Sequence, residues 1–260
     1  MTPTIASKTL VRPPAPRTTP KPAAGGRVSW TVVLLSSLAI VGVTLATYAQ
    51  GRLPIDSSGG GLSSTYADRP LAVQIVFYVH VVTGSLALLL GPFQFSTALR
   101  RRSLATHRWV GRLYVTAIAV ASTAAFVMAF FSSIAFNGFF GFGSLALLWA
   151  WTTWRGYRAV REGDLDSHRA WMIRSFALTY AAVTLRTWLG VLIALQLLAS
   201  GGDLDGEQAY DTAYGVLPFL CWLPNIVVAE FLVRRRGLPS YRLCPAPATD
   251  PTPDPHRTTT

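Results

Sequence analysis

The stretch LAVQIVFYVHVVTGSLALLLGP, residues 71–92, decides the fold class because it contains no Asp, Glu, Lys or Arg. A bilayer core about 30 Å thick is crossed by roughly 20 apolar residues in helical conformation. The stretch therefore predicts a transmembrane helix. Five further stretches predict the same, at residues 29–49, 110–132, 136–154, 170–198 and 212–233. We expect an all-α polytopic membrane bundle of six transmembrane helices.

The composition excludes an ordinary soluble domain, since 51% of the 260 residues are hydrophobic and only 13% are charged. Residues 1–28 and 237–260 are rich in Pro and Thr and too poor in apolar side chains to fold, so both are predicted to be disordered tails. The membrane domain is predicted at 29–236. Its first span is longer than the apolar core of a secretory signal, which favours a retained helix.

The basic residues predict the orientation of the bundle. All but three of the 23 Lys and Arg residues precede span one, follow span six, or lie near the two-to-three and four-to-five connections. The exceptions are Arg52 and Arg69 on the opposite side and Arg186 within span five. The positive-inside rule predicts a plasma-membrane protein with both termini cytoplasmic. The net charge of +11 thus reflects topology. The expected partner is the lipid bilayer, and nucleic acid is excluded.

A short repeat supplies the first candidate site. LATHRWVGR at 104–112 returns 61 positions later as LDSHRAWMIR at 165–174. His107 and His168 both stand where the chain enters the membrane from the basic side, so they are expected at matched depth on parallel helices. Thr106 and Ser167, just before them, are predicted to cap those helices. Two imidazoles at one level are what bis-histidine ligation of a haem requires, which predicts both as metal ligands.

Four arginines accompany the two histidines and are predicted to hold the haem propionates through charge-assisted hydrogen bonds. They are Arg108, Arg112, Arg169 and Arg174. The alternative is a set of interfacial anchors, with these arginines near lipid phosphates and Trp109 and Trp171 in the aromatic belt.

A second candidate site lies in the outer half of the membrane. His80 is nine residues into span two, and Gly84 and Gly91 leave a groove on its face of the helix. Arg186 lies 18 residues beyond His168, which is five helical turns, so span five carries a polar stripe that includes Ser175 and Thr179. Ionisable residues in a span are candidates for function. His80 and Arg186 are predicted to form a cofactor-binding, quinone or proton-transfer site.

Span six contains Asn225 and Glu230 and is expected to bend at Pro218 and Pro224. Glu230 is predicted to form a structural ion pair, with three arginines as the candidate partners: Arg174, Arg112 and Arg234. The chain has no Gly-rich phosphate loop, CxxC or HExxH motif, and no catalytic residue is predicted.

Three segments together resemble the bacterial DUF2306 family of predicted membrane proteins: HVVTGSLALLLGPFQFSTALRRRSLATHRWVGRLY (80–114), SHRAWMIRSFALTYAAVTLRTWLG (167–190) and CWLPNIVVAEFL (221–232). The positions that match the family's motifs are His80, Gly91, Pro92, Gln94, His107, Arg108, Gly111, Arg112, Tyr114, His168, Arg169, Arg174, Arg186, Asn225 and Glu230. The resemblance implies a membrane protein and leaves its activity open.

The chain is similar, more loosely, to cytochrome b561-type bundles, in which histidine pairs on the second and fourth and on the third and fifth helices hold two haems. His107 and His168 fit one pair. His80 has no counterpart, since 136–154 contains no His, Met or Cys. The analogy implies a haem b membrane electron-transfer protein that works with a quinone or another membrane redox protein. The alternatives are a small-solute or proton transporter and a non-catalytic membrane subunit or assembly factor.

Overall fold

The computed structural model describes residues 24–48, 64–201 and 203–239, and within these ranges the chain forms ten helices and no strand. They are α1 (Ala24–Tyr48), α2 (Ser64–Ala67), α3 (Leu71–Gln94), α4 (Thr97–Arg102), α5 (Leu104–Ala129), α6 (Ala135–Arg161), α7 (Leu165–Thr179), α8 (Ala181–Ala199), α9 (Gly206–Leu220) and α10 (Leu223–Arg235). The predicted tails lie almost wholly outside the described residues, although α1 already begins at Ala24.

Five helical segments among the described residues are long and apolar enough to cross a membrane. They are Ser29–Tyr48, Leu71–Gln94, Leu104–Ala129, Leu165–Ala199 and Gly206–Arg235. The fourth predicted span, 136–154, falls in α6, which is 27 residues long but is not among the five. Its Asn137, glycines, threonines and tryptophans lower its mean hydropathy. The structure therefore shows an all-helical protein with five candidate spans.

Successive long helices pack side by side, α3 on α5, α5 on α6 and α6 on α7, while α10 packs on α7 and α1 on α3. Short connections between neighbours make this an up-and-down arrangement. The Trp30 indole donates to the carbonyl of Pro92 over 2.9 Å, which places the start of α1 beside the end of α3. We call the end of the bundle that carries α4, the α6–α7 connection and the end of α10 the basic end.

Two of the long helical segments, α7–α8 and α9–α10, are each interrupted once, and hydrogen bonds connect the two interruptions. One break is at Tyr180 between α7 and α8, and the other lies between α9 and α10, where Pro218 and Pro224 confirm the predicted bend. Asn225 donates to the Ala177 carbonyl and to the Thr184 hydroxyl, which itself donates to the Cys221 carbonyl. These hydrogen bonds supply donors for backbone carbonyls that an interrupted helix leaves without a helical partner.

The helices that carry the repeat begin with side-chain caps, although not with the predicted residues. The Ser103 hydroxyl accepts from the Thr106 amide at the start of α5, and the Asp164 carboxylate accepts from the Ser167 amide at the start of α7. The prediction that Thr106 and Ser167 are the caps is wrong by one turn. They lie inside the first turn, where their amides need an acceptor.

Candidate ligand-binding site

A cavity of about 210 Å³ lies within the bundle, between α1, α3, the C-terminal end of α5, α6, the α7–α8 break and α9. Its walls are mostly apolar. Five of the polar residues in its lining are Thr44, His80, Trp149, Thr179 and Arg186. An apolar cavity of about 150 Å³ is large enough to bind benzene. The cavity is therefore large enough for a ring or a short chain.

The cavity brings together the two residues that the sequence placed in the outer half. His80 lies 14 residues before the end of α3, which is about 21 Å from the basic end. Its Nδ1 lies 3.0 Å from the carbonyl oxygen of Ala121. Because a carbonyl only accepts, Nδ1 carries a proton, and Nε2 is the acceptor of the neutral ring. His80 and Arg186 also interact electrostatically.

Gly84 leaves room beside the imidazole. A Cβ at Gly84 would lie 4.0 Å from His80 Cε1, with no other described atom that close outside its own turn, and Gly84 lines the cavity. The predicted groove exists at this position. At Gly91 it does not, because a Cβ there would come within 2.2 Å of the Phe176 ring. That glycine permits close packing of α3 against α7.

Arg186 reaches two neutral acceptors. Its Nη1 donates to the Ala182 carbonyl over 2.9 Å and its Nη2 to the Thr44 hydroxyl over 3.1 Å. The ion pairs found in the described part of the chain all involve other arginines. A guanidinium has five N–H donors and keeps its charge in a protein. Arg186 therefore presents a positive charge to an apolar cavity, and no described carboxylate balances it.

A network of hydroxyl groups closes the cavity toward the basic end. The Thr179 hydroxyl donates to the Ser175 carbonyl and lies 2.9 Å from the Trp149 indole nitrogen and 3.1 Å from the Tyr114 oxygen. A hydroxyl has one proton, so Trp149 and Tyr114 must both donate to Thr179. Thr179 keeps no proton for a ligand. The network is a structural clamp between α5, α6 and α7, which we call the hydroxyl clamp.

Aromatic rings close the other side of the cavity. Phe77 packs against Tyr48 and against Tyr66 of α2, with ring centroids 5.2 Å apart in each pair. Burial raises the pKa of Tyr66 to about 12, so its hydroxyl stays protonated and donates to the Met128 carbonyl.

The hydroxyl clamp also connects the two helices that carry the sequence repeat. The Tyr114 oxygen lies 3.2 Å from the Ser175 hydroxyl, and these residues are 61 positions apart, the offset of the repeat. His107 and His168 each lie seven residues, or two turns, before them. This contact joins the two helices at corresponding positions of the repeat, and the matched depth of His107 and His168 stays a prediction. His168 and Arg100 both act electrostatically on His107.

The contacts of the two imidazoles differ. His168 Nδ1 lies 2.8 Å from the Gly156 carbonyl, the contact that commonly orients a metal-ligating histidine. His107 Nδ1 is buried and has no hydrogen-bond partner in the described ranges. Those ranges also hold no group of three or more His, Cys, Asp or Glu side chains placed to share a metal ion. Of the two rings, His168 alone has a hydrogen-bond partner for its Nδ1 among the described residues.

Three of the arginines predicted to bind propionates are engaged elsewhere. Arg174 is buried and donates to both carboxylate oxygens of Glu230, which confirms the predicted ion pair and selects its partner. Arg169 pairs with Asp166, and Arg112 stacks over Trp109 at 5.1 Å. Arg108 is exposed. Haem ligation stays a prediction without support from these contacts.

The two tryptophans that the sequence predicts for an aromatic belt differ in exposure. Trp109 is 68% exposed on the outside of α5. Trp171 is buried, with the guanidinium carbons of Arg174 and Arg155 at 4.7 and 5.0 Å from its ring. It belongs to the core because it covers the Arg174–Glu230 ion pair.

Comparison with known proteins assigns the chain to a family. The sequence pattern of a family described as "Predicted membrane protein (DUF2306)" matches residues 77–233, well over half of the chain. The chain belongs to the DUF2306 family. Neither the curated proteins nor the solved structures contain a significant match to it. In this DUF2306 protein the matched range includes His80, Arg186 and the Arg174–Glu230 pair.

Two residues of the DUF2306 site were missed by the sequence analysis. Thr44, which accepts from Arg186, precedes the matched range and lies in a helix with no other feature of interest. Trp149 lies in α6, for which the sequence analysis considers only the absence of His, Met and Cys as haem ligands. Its neighbours Thr152 and Thr153 are buried. Two threonines one turn after a tryptophan, in an otherwise apolar stretch, were the sequence signal for a polar cluster.

Proposed function

We propose that this DUF2306 protein binds a small, mostly apolar carboxylate in its cavity and carries it through the membrane. The observation that supports this function is Arg186, whose charge faces an apolar cavity and whose hydrogen-bond partners among the described residues are neutral. A guanidinium binds a carboxylate through paired charge-assisted hydrogen bonds. A bound anion would neutralise the charge of Arg186, since no described carboxylate of the chain does so.

The other cavity residues have distinct roles in this proposal. Gly84 provides the space in which a ring lies against the imidazole of His80, and the apolar walls bind the rest of the molecule. His80 Nε2 accepts a hydrogen bond from a protonated ligand, or donates one when the ring is itself protonated. The ligand is thus recognised by one charged head and a compact apolar body.

The proposed topology completes this function. We propose that α6 is a sixth span, that the basic end faces the cytoplasm, and that both termini are cytoplasmic in the plasma membrane. What supports the sixth span is the length of α6 and its packing between α5 and α7. The cavity then lies in the outer half of the bilayer.

Calorimetric titration of the full chain in neutral detergent tests the binding step. The probes are benzoate, benzyl alcohol and a short-chain benzoquinone. We expect benzoate to bind, and Arg186→Gln to weaken it at least about tenfold, since a charged head group loses its partner. Benzyl alcohol should be bound equally by both. Arg158→Gln is the matched control, because Arg158 is exposed and pairs with Glu162.

A second pair of variants tests the location of the ligand. Gly84→Leu should abolish benzoate binding by filling the cavity, while Gly190→Leu, at an exposed glycine with no atom within 4 Å of its Cβ position, should leave it unchanged. Equal binding by wild type and Arg186→Gln would refute the proposal. Binding of the quinone alone, dependent on Arg186, would favour a redox function instead.

Transport is measured separately in proteoliposomes with labelled benzenesulfonate, an anion that stays ionised and does not cross lipid unaided. We expect flux in wild type and none in Arg186→Gln. Binding without flux would leave a ligand-binding membrane subunit rather than a carrier.

A further inference from the structure

Two buried nitrogen atoms at the basic end lack the partners that such atoms normally have. Among the residues that the structure describes, Gln94 Nε2 and His107 Nδ1 are buried and make no hydrogen bond. Buried polar atoms in proteins are nearly always hydrogen-bonded, and exceptions require an explanation. A ligand bound between them supplies one.

The two side chains occupy the same place in the fold. Gln94 is the last residue of α3, and His107 lies in the first turn of α5. Gly111 follows His107 by one turn, and a Cβ at Gly111 would lie 3.3 Å from Gln94 Oε1. The amide therefore lies against the face of α5 that carries the imidazole. The short helix α4 connects the two.

The charge around this place is positive. Arg100 of α4 acts electrostatically on both His107 and His168. Two carboxylates of α7 and α10 are already paired with arginines of α7, Asp166 with Arg169 and Glu230 with Arg174. An anion is therefore the ligand that this environment favours.

We propose that Gln94, His107 and Arg100 form a second site, which binds a phosphate group at the basic end. Gln94 Nε2 and His107 Nδ1 donate to phosphate oxygens, and Arg100 supplies the balancing charge. The group belongs either to an anionic lipid or to free phosphate, because both present the same oxygens. This site does not depend on the carboxylate cavity, from which it is separated by the hydroxyl clamp.

Thermal unfolding of the full chain in neutral detergent tests the site. The probes are sodium phosphate, at ionic strength held constant with sodium chloride, and dihexanoyl phosphatidylglycerol. We expect a saturable rise in Tm with at least one probe. The half-saturating concentration should rise at least about tenfold in Gln94→Leu and in His107→Phe, each of which removes one donor. Saturation by the lipid alone identifies a headgroup site, and saturation by both identifies a general phosphate site.

A pair of neighbouring arginines provides the matched control. Arg100 and Arg101 are both exposed on α4, but only Arg100 acts on the two imidazoles. Arg100→Gln should weaken binding about tenfold and Arg101→Gln should leave it unchanged, and this comparison stands even if the core variants fail to fold. The proposal is overturned if neither probe saturates, as expected for an ordered water between the two nitrogens. Equal weakening by the two arginine variants overturns it as well.

Discussion

The cavity and the basic end differ in how the charge of an arginine is balanced. In the cavity a single guanidinium, that of Arg186, contacts neutral groups. At the basic end Arg174 is even more deeply buried, yet its charge is matched by Glu230 and covered by Trp171. Both residues lie in the same helical segment, α7–α8, about three turns apart. The difference shows that burial of an arginine does not by itself indicate a binding site. What distinguishes Arg186 from Arg174 is the absence of a carboxylate partner among the described residues.

The largest expected effect comes from breaking the matched pair. Glu230→Gln leaves Arg174 charged and buried with no carboxylate, which should lower the free energy of unfolding by about 3 kcal/mol. Denaturant unfolding in detergent measures it. Glu162→Gln breaks the exposed pair with Arg158 and should cost less than about 1 kcal/mol. Comparable losses of unfolding free energy in the two variants would show that the buried Arg174–Glu230 pair contributes no more to stability than the exposed Arg158–Glu162 pair.

The same measurement on Arg186→Leu should give the opposite result. Removing an unbalanced charge from apolar surroundings should leave the free energy of unfolding unchanged or raise it by about 1 kcal/mol. Stability and benzoate binding would then change independently. A loss as large as that of Glu230→Gln would mean that Arg186 has a structural partner, and the contrast between the two regions would disappear.

The smallest expected effect concerns haem. Because Arg174, Arg169 and Arg112 are engaged with other side chains, we expect protein purified from haem-supplied cells to show no Soret band near 410–430 nm. His107→Ala and His168→Ala should therefore leave the oxidised and dithionite-reduced spectra unchanged. A Soret band that either substitution removes would restore the electron-transfer hypothesis and assign His107 Nδ1 to a different partner.

Much of the fold follows from the sequence because its signals are local. Apolar runs predict the helices, and the 61-residue offset predicts the level of Tyr114 with Ser175. The break at Tyr180 carries no Pro or Gly and could not be predicted. The helix α5 begins one turn before the predicted cap at Thr106, because the Ser103 hydroxyl accepts from the Thr106 amide.

The two ionisable residues of the candidate site were predictable from the sequence, and the partners of the arginines were not. His80 and Arg186 were placed together because both lie in the outer half of their spans. The sequence offered Glu230 three arginines of similar depth, and only side-chain packing selects Arg174. The same choice weighs against a propionate role for Arg174, because Glu230 already balances its charge.

The two walls of the cavity differ in the work needed to open them. Toward the basic end, a molecule would have to separate Tyr114 and Trp149 from Thr179, two hydrogen bonds worth about 1 kcal/mol each, and force apart three packed helices. Toward the opposite end, ring contacts of a helix only four residues long stand in the way. Ligand should therefore enter and leave on the side of α2 many times in the interval between successive crossings of the protein. Exchange on that side would reach equilibrium quickly, and opening of the hydroxyl clamp would set the turnover rate.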